Sequence, residues 1–194
     1  LYSTDNLIII NLLSSKDVTM YNISYKFFGL PFMIFTLYIA THWPAFIDAL
    51  TRNNQLWIKR KLNFFNYLFI LLIVCYYIAY FMYDHIVPIW TGENDILVDH
   101  FLNKCVIVYY LISGYATIYI YVINASGKIA LQKYIYIIIA FINIPLSVFF
   151  VKTLNLGSAG VIIASSICVS LLLIIMPIQS KKILNNTAKG IWIK

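Results

Sequence analysis

The sequence predicts an all-α, polytopic helical membrane protein, and three observations lead there. Of its 194 residues 62% are apolar and only 11% charged, with mean hydropathy +0.83, a balance no water-soluble domain of this size carries. The apolar residues fall in long runs broken by short polar turns rather than in an alternating strand pattern. The basic residues gather in alternate connectors: four at 45–62, two at 124–133 and four after Ile178, ten of fourteen in all. The net charge of +7 therefore reads as a topology signal and not as a nucleic-acid surface.

The first apolar run, to about residue 13, is shorter than the roughly 20 residues that cross a bilayer, so it reads as the second half of a helix. The absence of an initial Met agrees with a fragment that lacks its N-terminal part. A polar turn, Ser14 to Asp17, precedes a span at about 19–43, capped by Asp17 or Thr19, with Pro31 favouring a bend near its middle. Residues 45–62 mix apolar positions with Arg52, Lys59, Arg60 and Lys61, the pattern of an interfacial connector. A third span at 63–83 carries aromatics toward both ends, as membrane-interface belts do.

From Asp84 to His100 the chain is polar, with Glu93, Asp95 and Asp99, and Pro88 and Gly92 are expected to prevent a long regular helix. Spans at 101–123, 134–151 and 158–177 follow. The last carries Gly160, Ala164 and Cys168 at four-residue spacing, which suits close helix packing. Five full transmembrane helices and one truncated helix result. The basic-rich ends are expected in the cytoplasm, the C-terminus among them, with Glu93 outside.

Candidate functional residues come from charge and polarity at membrane depth, where an ionisable group costs roughly 2.5–3.5 kcal/mol on insertion scales. Asp5 lies nine residues before Ser14, about 13 Å along a helix, which suits a proton or cation site. The alternative is a cap at an interface. Lys26 sits about 10 Å into its span, as a cavity cation or as a side chain snorkelling to the headgroups. Asn22 shares its helical face, with Gly29, Met33 and Ala40.

On the 101–123 span Tyr109, Ser113 and Thr117 share a wettable face that suits either a polar lumen or hydrogen-bonded packing. No GxSxG, HExxH, P-loop or dinucleotide fingerprint occurs, so no catalytic residue or cofactor is assigned. His42, His85 and His100 lack metal-ligand spacing, and Cys75, Cys105 and Cys168 read as small hydrophobes.

Several segments resemble the second half of Wzx-type O-antigen and polysaccharide flippases. They are Thr4 to Ile9, Val18-Thr19 with Tyr21-Asn22-Ile23 and Tyr25-Lys26, Trp43-Pro44-Ala45, Asn143 to Ser147, and Leu156 to Val161. The resemblance implies the second six-helix lobe of the multidrug, oligosaccharidyl-lipid and polysaccharide exporter (MATE-like) fold, with the N-terminal lobe missing. It implies a bacterial inner-membrane flippase for undecaprenyl-diphosphate-linked oligosaccharides in O-antigen or capsule assembly. Such a protein would not be an enzyme, would be driven by protons or sodium ions, and would work beside a polysaccharide polymerase and chain-length partners. On that reading Lys26 meets the diphosphate, Asp5 couples the ion, and Asn22, Tyr109, Ser113 and Thr117 line the lumen. Two other readings stay open. One is a cation-coupled multidrug exporter of the same superfamily, and the other is a membrane polymerase or glycosyltransferase.

Overall fold

The computed structural model describes residues 2–92 and 98–192, so the expectations for Glu93 and Asp95 lie outside the described residues. Seven helices and a short 3-10 turn account for the described chain: α1 (Tyr2–Leu12), α2 (Ser15–Ala40), α3 (Trp43–Thr51), α4 (Gln55–Thr91), α5 (His100–Ser126), α6 (Ala130–Lys152) and α7 (Gly157–Leu184). Among the described residues five helical stretches are long and apolar enough to cross a membrane, α2 and α3 counting together as one. The protein is an all-α, multi-pass membrane protein. Its outer surface carries Ile34, Ile70, Tyr67, Phe141 and Ile174 exposed, the apolar coat that lipid tails tolerate and water does not.

The α1–α2 turn shows how local chemistry sets a boundary. Ser14 caps α2: its hydroxyl accepts from the Asp17 amide, and the Asp17 carboxylate accepts from the Ser14 amide at 3.1 Å. The helix thus begins at Ser15, four residues before the expected Thr19, because Asp17 serves as the third residue of a capping box and not as the cap itself. It then continues through Pro31 to Ala40.

The interfacial connector resolves into two helical pieces. α3 buries Phe46 and Ala49 and sets Phe46 against Trp57 and Phe65. α4 then starts at Gln55, where Asn54 accepts from the Trp57 amide at 3.2 Å. At its other end α4 corrects the expectation of a loop from Asp84, because it runs through Pro88 to Thr91. Proline at 88 deprives only the carbonyl of Asp84, a residue exposed at the helix end, so the break is tolerated. Gly92, at φ 73°, ends the helix and returns its amide to the Pro88 carbonyl at 2.9 Å. At 37 residues α4 is roughly 55 Å long against a hydrocarbon core of about 30 Å, so it projects beyond the bilayer.

α5 and α7 form the central pair, with α6 packed on α7 and with α2 and α4 on α5. The short α1 packs against α2, α6 and α7. Close approach at α7 comes from its small residues: Gly160, Ala164 and Cys168 are buried as their spacing predicts. A Cβ on Gly160 would lie 3.1 Å from Phe150 Cβ and 3.2 Å from the Phe150 carbonyl carbon, so the glycine lets α7 meet the end of α6.

Candidate functional site: a buried carboxylate cluster

Each helix that reaches the centre does so on a face set by its period. On α1 the inward positions are Asp5, Ile8 and Ile9, so the one acid of that helix points into the bundle at 1% exposure. On α2 the inward row is Tyr21, Ser24, Phe28, Phe35 and Ile39. α6 turns Ile139, Asn143 and Ser147 inward at four-residue steps, and α7 supplies Ser165 beside its small residues.

These four helices meet in one hydrogen-bonded cluster. Tyr21 donates its hydroxyl to Asp5 Oδ2 at 3.0 Å, and Ser165 donates to the same oxygen at 3.3 Å. Asn143 Nδ2 donates to Ser165 Oγ at 2.9 Å and so joins α6 to the carboxyl group through α7. Asp5, Tyr21, Asn143 and Ser165 are all essentially buried. Asp5 Oδ1 and Asn143 Oδ1 have no hydrogen-bond partner among the described residues, so the cluster holds two unused oxygen atoms, and the buried Ser147 hydroxyl, one turn along α6 from Asn143, is also unpartnered. No ion pair involves Asp5 among the described residues.

Hydroxyl donors of this kind compensate an acid in apolar surroundings only in part, since a buried carboxylate wants either a proton or a positive charge beside it. The arrangement suits reversible capture of a proton or of a small hard cation by oxygen ligands. No group of three or more His, Cys, Asp or Glu gathers among the described residues.

A chain of aromatic rings runs from this cluster toward α5. Tyr21 stacks on Tyr25 at 5.7 Å, Tyr25 lies 5.2 Å from Tyr110 and 6.1 Å from Tyr109, and Tyr110 donates its hydroxyl to the Tyr25 carbonyl at 3.0 Å. Gly29 makes room for it, because a Cβ there would stand 2.9 Å from the Tyr110 hydroxyl oxygen.

The other expected site residues occupy different surroundings. Lys26 is exposed and forms no ion pair among the described residues, so it is not brought to Asp5. Asn22, Tyr109, Ser113 and Thr117 are half-buried, and Thr117 returns its hydroxyl to the Ser113 carbonyl at 2.7 Å. Sequence reasoning offered Asp5 either at membrane depth or as an interfacial cap, and missed Tyr21, Asn143 and Ser165 as its surroundings. The four-residue step from Asn143 to Ser147 was the available signal for α6, and Ser165 was hidden inside a small-residue stripe.

No family model, curated protein or solved structure matches this chain.

Proposed function

We propose that this chain is the second lobe of a lipid-linked oligosaccharide flippase, coupled to a proton or sodium ion at Asp5. The observation that carries the reading is the carboxyl group of Asp5 on α1, buried among hydroxyl and amide groups of three other helices in a protein whose outer surface is apolar. The resemblance of its segments to Wzx-type flippases supplies the substrate class, undecaprenyl-diphosphate-linked repeat units for O-antigen or capsule. Such a cargo carries an anionic diphosphate and many hydroxyls through hydrocarbon. It calls for a cation, polar groups and aromatic faces along the path, with no bond made or broken.

Lys26 takes the diphosphate, and its exposed position on α2 suits a face turned toward the opposite lobe. Asn22, Tyr109, Ser113 and Thr117 extend that face toward the sugars. The distribution of Lys and Arg supports a cytoplasmic C-terminus, and the resemblance to Wzx-type flippases supports a bacterial inner-membrane location beside a polysaccharide polymerase and chain-length partners.

A second reading, a cation-coupled drug exporter of the same superfamily, draws on the contrast between the buried Asp5 and the exposed Lys26. Deleting the gene separates these readings from each other and from a polymerase. A flippase deletion leaves complete lipid-linked repeat units in the cytoplasmic leaflet and removes surface polysaccharide. Unchanged surface polysaccharide with raised drug sensitivity selects the exporter. Repeat units that reach the outer surface singly, with only chain extension lost, select the polymerase.

A further inference from the structure

The basic-rich end of the bundle holds a second polar recess, separate from the Asp5 cluster. α4 and α7 both pack on α5, and near this end a cavity of about 190 Å³ opens between them. Lys59, Asn63 and Asn66 of α4, Tyr119 of α5, and Ser180 and Lys181 of α7 line it, and no carboxylate does. The two lysines form no ion pair among the described residues. Their neighbours are engaged differently: Lys61 lies 4.9 Å above the Phe64 ring and Lys182 3.8 Å above the Trp192 ring.

Ser180 makes this more than a pair of surface lysines. It is 1% exposed, lines the recess, and its hydroxyl has no partner among the described residues. The Asn66 side chain beside it is already hydrogen-bonded to Tyr119, so Ser180 is the hydroxyl left to serve a ligand. Two cations and an idle hydroxyl in a recess without acids form a donor set for a tetrahedral oxyanion.

Position narrows the anion. Lys181 lies in the last turn of α7 and Lys59 in the second turn of α4, the ends of two membrane-crossing helices, where the anions at hand are lipid phosphates. By the 3.6-residue period, exposed Tyr67 and Ile70 continue the face of Asn63 and Asn66, and exposed Ile174 and Ile178 continue that of Lys181. An acyl or isoprenoid chain has an apolar path there. We propose that this recess binds the phosphate group of a membrane lipid, with Lys59 and Lys181 as charge partners and Ser180 as hydrogen-bond donor. The source of that phosphate is either a bilayer phospholipid or an isoprenoid diphosphate.

The test uses the whole chain in phosphatidylcholine nanodiscs, titrated with dioleoyl phosphatidylglycerol in one arm and farnesyl diphosphate in the other, with bound lipid counted by native mass spectrometry. One anionic lipid binds per chain. Its affinity falls about tenfold or more in Lys59→Gln/Lys181→Gln, in line with the surface attraction of two lysines. Ser180→Ala, which removes one idle hydroxyl and leaves packing intact, lowers it several-fold. Lys152→Gln, at the opposite end of α6, leaves it unchanged. Tighter binding in the first arm identifies a phospholipid and in the second an isoprenoid diphosphate, and either supports the proposal. No binding in both arms, or equal affinity in wild type, the double variant and Ser180→Ala, overturns it.

Discussion

Asp5 has one carboxyl oxygen held by two hydroxyls and the other bare, so its burial is only partly compensated. Removing a donor therefore disturbs it in a defined way. Tyr21→Phe deletes the 3.0 Å bond and leaves the ring stacked on Tyr25, so the expected loss is about 1–3 kcal/mol, read as a lower thermal midpoint in detergent. Asp5→Asn keeps size and polarity, so insertion is expected to persist, and on the proposed flippase reading ion-coupled transport is expected to fall. Lys26 differs in kind, because it is exposed and its loss touches no packing. Lys26→Gln is expected to insert and melt as wild type but to move less substrate; normal transport would return it to a snorkelling role.

At the scale of elements, the sequence made α2, α5, α6 and α7 legible through their apolar runs, and the small-residue stripe of α7 through its spacing. Boundaries were less legible where capping and proline compete. Ser14 and Asp17 shared one capping box, which moved the start of α2, and Pro88 sat close enough to a helix end to be carried by α4. The Asp5 cluster was the hardest to read, since four helices from both ends of the chain build it and no local pattern pairs Asp5 with Ser165. Packing at α7 gives a direct check. Gly160→Ala forces the new Cβ onto the backbone of Phe150 at 3.2 Å and is expected to cost about 1–3 kcal/mol. Gly114→Ala meets only side chains, most closely the movable tip of Leu72 at 3.3 Å and then Phe69 at 3.5 Å, and is expected to cost less, so Gly160→Ala should lower the thermal midpoint more.

For the whole molecule, charge placement and the carboxylate cluster make separate demands. The alternation of basic connectors predicts that Trp57 and Thr187 share the cytoplasmic side, and active alkaline phosphatase fused at Thr187 would contradict it. The proposed flippase function, joined to the cluster, predicts that cargo moves only when Asp5 can exchange an ion. The most direct measurement of that claim is the leaflet distribution of lipid-linked repeat units in cells whose gene carries Asp5→Asn. Complete units held in the cytoplasmic leaflet, with variant protein inserted at wild-type level, are the predicted result. Units reaching the outer leaflet at the wild-type rate would contradict it.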